Sequence, residues 1–329
     1  AIDLKSEAGV EAVKKLAARA DVLLHNYRPG VMDRIGLGSD VLRTINPKLV
    51  YVAVSGFGTQ GPMADMPAFD HVIQGMAGFT DLQASDDHRF DFIRTFLCDK
   101  VTAYTVGQAA TAALLARATT GEGQHIDISM LHACIAFMWP DGMMHRTLKD
   151  DDRINMSPGS EYFETINYSD GGVAVAPLRD NHWEALLPML GYPELVGTPM
   201  YGSIPARMSN MREVTKVIKN PKLDIGVEKA IAVLKAADVP CAPCIKRDDL
   251  ERSEQIQAIG ALETHVTQAM GKLTVPTPPV QFEGAAASQA EPSPLLGQHS
   301  RNILSELGWT NESVNDLISA GAVAETPLP

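Results

Sequence analysis

One carboxylate in this chain stands where it could act as a nucleophile. The sequence TFLCDK of residues 95–100 leads into a proline-free, alanine-rich run over residues 101–118. Alanine and leucine are strong helix formers, so the run predicts a long helix that ends near Gly121. Asp99 would then be the N-cap or a first-turn residue of that helix.

Two interpretations of Asp99 follow from this stretch. Aspartate is a preferred N-cap, because its oxygens accept hydrogen bonds from the free N–H groups of the first turn. Alternatively, the positive end of the helix dipole keeps the carboxylate ionised, as a nucleophile requires. The stretch alone leaves both open.

A glycine-rich loop is the second candidate site feature. Residues 55–62 read SGFGTQGP and follow the apolar run 49–54. The loop lacks the GxGxxG spacing and the lysine of a phosphate-binding loop, so it indicates a nucleotide only weakly. Its position after a strand still predicts a site loop, because ligands bind at the carboxyl ends of strands in α/β sheets.

Metal and redox chemistry are poorly supported. Cys241 and Cys244 have CxxC spacing, but no second pair of ligands follows at a distance that suits zinc. Asp86, Asp87 and His88 could chelate a metal, although a solvated acidic loop explains them as well. We predict no metal and no permanently bound cofactor.

The elements that must position Asp99 alternate between helix and strand. Helical patterning over residues 6–19 precedes an apolar strand at 21–25, and a second helix at 39–45 precedes the strand at 49–54. Such alternation predicts an α/β domain with a parallel sheet. A further strand is expected at 125–128.

The second half reads as another unit. The DGG sequence at 170–172 predicts the turn of a β-hairpin, and amphipathic helices are expected at 207–219 and 227–236. A strand is predicted at 239–246 and a helix at 248–259. Residues 274–296, rich in Pro, Ala, Gly and Ser, predict an extended segment before helical patterning over 300–320.

Composition limits the partners and the compartment. The 329 residues carry a net charge of -12 and no basic stretch, which argues against nucleic acid. No window is apolar and long enough for a membrane span, and no signal peptide is visible. The four cysteines suggest a reducing compartment. We therefore predict a cytoplasmic protein that binds neither membrane nor nucleic acid.

Six stretches, in this order along the chain, resemble one known family. They are ADVLLHNYRPGVM at 20–32, the glycine-rich loop, DHVIQGMAG at 70–78, RATTGEGQHIDIS at 117–129, VPCAP at 239–243 and PLLGQH at 294–299. Together they resemble the family III CoA-transferases, or CaiB/BaiF family, which also contains the α-methylacyl-CoA racemases.

The resemblance implies an architecture. It implies a Rossmann-like, CoA-binding large domain over residues 1–148 that carries the catalytic aspartate and is incomplete at its amino end. A smaller α+β domain would span residues 149–275. Residues 276–329 would return to the large domain, and two subunits would interlock as a homodimer.

The resemblance also implies a reaction. The family's catalytic aspartate stands directly before the long helix, where Asp99 stands here. A CoA-transferase moves CoA from an acyl-CoA to a free carboxylate, and the enzyme would carry CoA as an aspartyl thioester on Asp99. The backbone N–H groups of Gly56 and Gly58 are candidate oxyanion donors. The sequence does not identify the two acids.

The family's CoA contacts can be carried over by position. The phosphate groups of CoA need cations, and Arg28 and Arg34 are candidates, although both could equally be solvated surface residues. Tyr27 could stack on the adenine of CoA or simply pack against the protein. The expected CoA contacts are Lys5, Asn26, Tyr27, Arg28 and Arg34, with Pro67, Ala68, Phe69 and Asp70 along the pantetheine arm.

Several departures keep alternatives open. The family's opening strand–helix–strand segment, with a glutamine that supports the reacting carbonyl, is missing from this sequence. Ala103 stands where glycine is common, and residues 156–160 match the family's covering loop only loosely. The alternatives are a racemase, disfavoured because His71 follows Asp70 instead of preceding it, and a truncated CoA-binding or structural chain without activity.

Overall fold

The computed structural model describes residues 1–84, 89–148, 159–267, 271–284 and 293–326. Two features discussed above lie wholly or mainly outside these residues. They are the acidic cluster of Asp86, Asp87 and His88 and most of the loop at 156–160.

The described residues form a mixed α/β structure with small sheets, as the alternation of elements predicts. The strands are β1 Val22–His25, β2 Val50–Ser55, β3 His125–Ser129, β4 Thr165–Tyr168, β5 Gly171–Val175, β6 Cys241–Pro243, β7 Leu262–Thr267 and β8 Gly271–Pro276. The helices are α1 Glu7–Ala17, α2 Val31–Arg34, α3 Ser39–Ile45, α4 Asp70–Ala77, α5 Phe79–Leu82, α6 Leu97–Thr120, α7 Met130–Gly142, α8 Met144–Thr147, α9 Asp180–Met189, α10 Ile204–Ser209, α11 Met211–Val214, α12 Lys216–Lys219, α13 Val227–Ala236, α14 Glu254–Ala258, α15 Ser300–Glu306 and α16 Asn311–Ser319.

Contacts divide the chain into two compact units. One comprises Ala1–Met138 with Gln289–Pro329, and the other Trp139–Ser288. The predicted domain scheme, with boundaries at 148 and 275, stays a prediction.

The first unit is built on a parallel sheet of order β1-β2-β3. Its central strand β2 is buried on both faces. Val50, Val52 and Val54 pack with Ala113 of α6, whereas Tyr51 packs on the opposite side with Leu42. Burial on both faces explains why β2 is almost continuously apolar. The sheet thereby provides a rigid support for α6.

The carboxyl-terminal helices belong to this first unit. Leu304 of α15 and Val314 and Leu317 of α16 form one core with Ala12 of α1. Gly308, whose φ of 86° is left-handed, lies in the break between these two helices.

The second unit contains an antiparallel sheet of order β4-β5-β6 and a separate β7–β8 hairpin. Its core includes Trp183, Leu186 and Leu234. The hairpin predicted around residues 170–172 is the β4–β5 pair.

Several predictions for this unit are wrong. The helix expected at 248–259 is a 3₁₀ helix over Arg247–Arg252 followed by the short helix α14. The helix expected at 207–219 is three short helices, because Asn210 has a non-helical backbone with φ of -129° that ends α10. The strand expected at 239–246 is only Cys241–Pro243. Residues 274–276, which were expected to begin an extended segment, are the end of strand β8. The antiparallel pairing of β8 with β7 was not predicted.

Within the part of the chain that the structure describes, no helix is both long enough and apolar enough to cross a membrane.

Candidate functional site

Asp99 lies in the first turn of α6. It does not cap the helix: no hydrogen bond within the described ranges reaches its carboxylate oxygens. The cap comes instead from α4, where Oδ2 of Asp70 accepts a hydrogen bond of 3.0 Å from the Asp99 backbone N–H. The capping interpretation of Asp99 is therefore wrong, and its carboxylate is exposed and not engaged by the helix.

Asp70 is held in place by Gln74, one turn further along α4. Both side chains are buried, with 2% and 1% of their surface exposed. The Gln74 amide donates to Oδ1 of Asp70 over 2.6 Å and to the carbonyl of Thr95 over 3.0 Å, and its Oε1 accepts from the backbone N–H of Ile93 over 3.1 Å. These bonds satisfy the buried polar groups and fix the chain that leads into α6.

The charge environment of Asp99 differs from the expectation based on the helix dipole. Partial burial, first, and the negative charge of Asp70, second, raise the pKa of Asp99 above its ordinary value. Lys100 and His71 act in the opposite direction. The carboxylate is therefore more basic than a solvated aspartate, whereas the dipole alone would make it less so.

The neighbours of Asp99 are ordered by contacts of their own. The His71 ring lies edge-on to the rings of Phe92 and Phe96, with centroids 5.7 and 5.9 Å apart. The ammonium group of Lys100 donates to the Thr95 hydroxyl over 2.7 Å. A histidine and a lysine thus stand beside the candidate nucleophile.

The glycine-rich loop packs closely against the segment before α4. A Cβ on Gly56 would lie 2.2 Å from Cβ of Ala68, so no larger residue fits without a shift. The Gly56 carbonyl accepts from the backbone N–H of Leu131. This packing places Ala68 beside the loop, with Pro67 and Phe69 exposed.

The contact expected between Asp70 and the pantetheine arm stays a prediction, and the structure leaves its side chain no free oxygen for it. Its side chain is buried, and both oxygens bind Gln74 and the Asp99 N–H. Pro67 and Phe69 are exposed, and 75% of the Phe69 surface is accessible. Residues 67–69 remain candidates for this contact, and Asp70 becomes a structural neighbour of the nucleophile.

Two of the predicted phosphate-end residues share a cavity of 300 Å³. Tyr27 and Arg28 line it, and both are exposed. Lys5, Asn26 and Arg34 are exposed as well but are not among its lining residues.

The same cavity contains residues that sequence reasoning missed. The Tyr51 ring lies between those of His25 and His125, with both centroids 5.3 Å away, and Asp33 and Asp127 also line the cavity. A sequence pattern could have found them, because side chains on one face of a sheet recur at every second residue. Tyr51 pairs with His125 across β2 and β3, and His25 pairs with Ala53 across β1 and β2, so these residues share one face. The sheet order needed to use that pattern was unknown.

Burial and charge shape this polar sheet face. Burial raises the pKa of Tyr51 to about 12, with further contributions from Asp33 and Asp127. Burial and the neighbouring His125 lower the pKa of His25. The Tyr51 hydroxyl donates to the carbonyl of Leu37 over 3.1 Å. His25 therefore offers the cavity an uncharged imidazole at neutral pH.

Two thiols lie behind the candidate nucleophile. Cys98 and Cys134 are fully buried, as their apolar surroundings predict. Hydrogen bonding with Cys134 raises the pKa of Cys98, and burial adds to this effect. Neither thiol is exposed for chemistry. No cluster of three or more metal-ligating side chains occurs among the residues the structure describes.

Comparison with known proteins gives a consistent result. A sequence model described as CoA-transferase family III matches residues 1–300. Succinyl-CoA:glutarate CoA-transferase from Mus musculus is 27% identical over 99% of this chain and 75% of its own length. Acetyl-CoA:oxalate CoA-transferase from Acetobacter aceti is 30% identical over 86% of this chain and 72% of its own length. The crystal structure of a CaiB/BaiF family protein from Brucella suis superposes with a TM-score of 0.75 at 29% identity, covering 93% of this chain and 80% of that one.

Proposed function

The chain belongs to CoA-transferase family III and is an enzyme of the CoA-transferase class, and we propose that it moves CoA between an acyl-CoA and a carboxylic acid through a covalent thioester on Asp99. The observation that carries the proposal is the Asp99 carboxylate itself. It is exposed, its helix is capped by another residue, and its pKa is raised.

The chemistry balances without ATP, because one thioester is exchanged for another. The Asp99 carboxylate attacks the donor carbonyl and expels CoA thiolate, leaving a mixed anhydride. The thiolate then attacks the aspartyl carbonyl and releases the donor acid, leaving aspartyl-CoA. The acceptor carboxylate attacks this thioester, expels CoA thiolate and forms a second mixed anhydride with Asp99. The thiolate then attacks the acceptor's carbonyl, which forms the new acyl-CoA and releases the Asp99 carboxylate.

Each acyl transfer develops negative charge on a carbonyl oxygen, which needs a donor. We assign this role to the N–H groups of Gly56 and Gly58, next to the close contact with Ala68. Removing one such donor in comparable sites slows the reaction by roughly 100- to 1,000-fold.

For CoA itself, we place the nucleotide end at Tyr27 and Arg28, which line the 300 Å³ cavity. Lys5, Asn26 and Arg34 extend the positive and polar surface around it. Residues 67–69 would follow the pantetheine arm towards Asp99. No permanently bound cofactor or metal is needed for this reaction.

The relatives suggest the first substrates to test. Their names contain succinate, glutarate and oxalate, all short dicarboxylates. We propose that a short dicarboxylate is one partner acid here. Lys100 and His71 beside Asp99 offer the cationic or hydrogen-bonding groups that a second carboxylate requires.

The same His71 gives one observation in favour of a racemase. Its charge reaches Asp99, so the two could form a proton-transfer pair. A single-enantiomer 2-methylacyl-CoA in D₂O separates the two functions. Deuterium entering the α-carbon indicates a racemase, whereas CoA exchange without deuterium indicates a transferase.

The direct test mixes the protein with succinyl-CoA and either glutarate or oxalate and follows the acyl-CoA products by chromatography. We expect a new acyl-CoA without ATP from the wild type, and none from Asp99→Asn. An unchanged Asp99→Asn would contradict the assigned nucleophile. A chain that binds CoA esters but transfers nothing would match the alternative of an inactive binding protein.

The higher-order features also belong to this proposal. We propose a Rossmann-like large domain over residues 1–148, a smaller domain over 149–275, and a segment 276–329 that returns to the large domain. Two such subunits would interlock as a homodimer, in the cytoplasm.

A further inference from the structure

We infer that Asp70 and Gln74 form a buried clamp that positions Asp99 through its backbone N–H and strengthens its carboxylate as a nucleophile. This inference rests on the proposed function. It assigns to the two residues a positioning role, because neither one reaches the reacting atoms.

The burial pattern of α4 is the first support. Asp70 and Gln74 have 2% and 1% of their surface exposed and share the inward face with the apolar Ile73 and Ala77, whereas Val72 and Met76 have 44% and 51% exposed. A helix of a globular protein ordinarily buries its apolar face. Burying a carboxylate and an amide is costly unless their hydrogen bonds are made. An inward polar pair therefore indicates a specific task for these two side chains.

The hydrogen bonds define that task atom by atom. Oε1 of Gln74 accepts from the Ile93 N–H, so its amide nitrogen must face Asp70 and the Thr95 carbonyl. This nitrogen donates a hydrogen bond to Oδ1 of Asp70, and Oδ2 of Asp70 accepts the hydrogen bond from the Asp99 N–H. Both Asp70 oxygens act as acceptors, as an ionised carboxylate requires. The first turn of α6 is therefore tied to α4 at Asp99 itself.

The electrostatic consequence opposes the helix dipole. The positive end of α6 would stabilise the ionised form of Asp99, but the carboxylate of Asp70 bonds to that same end. The negative charge of Asp70 accordingly raises the pKa of Asp99. A more basic carboxylate attacks a carbonyl more readily, provided that it is still ionised at the working pH.

Asp99 is surrounded by titratable groups from three helices. Asp70 and His71 come from α4, Cys98 and Lys100 from α6, and Cys134 from α7. Asp70 raises the pKa of Asp99, whereas Lys100 and His71 lower it. Substitutions of Asp70 and Lys100 should therefore move the titration of Asp99 in opposite directions.

The test measures the single-turnover rate of enzyme–CoA formation across pH. Succinyl-CoA is the probe, with acetyl-CoA as a second probe, and intact-protein mass spectrometry counts the adduct after an acid quench. Every variant is measured with the same acyl-CoA, so ionisation of the substrate affects all rate profiles equally and does not contribute to the difference between them. Asp91→Asn is the matched control, since Asp91 is an exposed acid that pairs with Arg94.

For Asp70→Asn we expect the half-maximal pH of the rate to fall, because a nearby negative charge is lost. The maximal rate should fall as well. Lys100→Met should raise the half-maximal pH, and Asp91→Asn should leave it in place. Gln74→Met should lower the maximal rate and retain the affinity for CoA, measured by calorimetric titration.

The outcomes distinguish a failure of the proposed function from a failure of the clamp. A wild type that gains no adduct on Asp99 from either probe contradicts the proposed function, and the clamp falls with it. A labelled wild type with an unshifted Asp70→Asn contradicts the clamp alone. If Asp70→Asn does not fold, Gln74→Met decides, and an unchanged maximal rate in that variant contradicts the clamp.

Discussion

Asp99 is available for its proposed role as nucleophile because another residue performs the task that aspartate usually performs at a helix start. In most helices a first-turn or N-cap carboxylate binds the free N–H groups. Here Asp70 accepts the N–H of Asp99, so the Asp99 oxygens stay uncommitted. The sequence could predict the position of Asp99 but not which of its two roles it takes, because the partner lies 29 residues away.

At the same scale, Arg28 is the cation whose removal should affect CoA most. It is exposed and lines the cavity with Tyr27. We expect Arg28→Met to raise KM for an acyl-CoA roughly 10-fold, the equivalent of about 1.4 kcal/mol, with kcat little changed.

Steady-state kinetics with succinyl-CoA would measure this change. Arg94→Met is the control, because Arg94 is 85% exposed, pairs with Asp91 and lies outside the cavity lining. An equal rise in KM in the two variants would mean that Arg28 affects CoA only through the net charge of the protein.

At the scale of elements, the contact between the glycine-rich loop and residues 67–69 limits what the loop tolerates. Gly56→Ala would place a methyl group 2.2 Å from Cβ of Ala68. We expect a loss of about 1–3 kcal/mol in the free energy of unfolding, as for other overpacked sites, and a lower kcat.

Gly107→Ala is the matched substitution. Gly107 lies inside α6 and an added Cβ meets nothing within 4 Å. Alanine there should stabilise the helix by up to about 1 kcal/mol. Urea denaturation of both variants measures the difference, and a Gly56→Ala that is as stable as Gly107→Ala would show that the loop moves freely.

The elements also show where sequence patterns succeed. The strand β2 and the helix α13 are found at or within one residue of their predicted bounds, because long apolar or amphipathic runs carry a strong period. Residues 207–219 look equally periodic, yet the backbone of Asn210 ends α10 and divides the stretch into three short helices. The side-chain bonds of Arg207 to Tyr201 and Asp180 join it to other segments, and such contacts leave no local pattern.

The buried side chain of Arg207 should contribute to the stability of the fold. Its side chain is only 3% exposed and donates to the Tyr201 carbonyl and to Asp180 over 2.6 Å each. Arg207→Met leaves these acceptors unpaired and should cost about 2 kcal/mol of unfolding free energy.

The exposed pair of Arg179 and Asp238 supplies the control. Arg179→Met should change stability by less than about 1 kcal/mol, because surface ion pairs contribute little. Thermal unfolding of both variants checks the difference, and equal losses would contradict the structural role of Arg207.

At the scale of the whole molecule, the sequence could predict the α/β class and the family, because both depend on patterns spread along the chain. It could not predict the clamp of Asp70 and Gln74 or the row of His25, Tyr51 and His125. Those depend on sheet order, on register and on an inward-facing polar helix side.

The proposed homodimer makes a prediction at this scale. Large apolar side chains such as Tyr104 and Leu115 on α6, both 73% exposed, would be covered by a partner. Light scattering should give a mass near twice 35.4 kDa at micromolar concentration. A single-chain mass at that concentration would contradict the dimer, while leaving the chemistry of Asp99 to be judged on its own.

The most direct test of the account is peptide mass spectrometry of the protein after incubation with succinyl-CoA and hydroxylamine. Hydroxylamine attacks an aspartyl thioester or anhydride and leaves a hydroxamate on the side chain. We expect the hydroxamate on Asp99 of the wild type and none in Asp99→Asn. A fully covered, unmodified Asp99 peptide from protein that is transferring CoA would contradict this expectation.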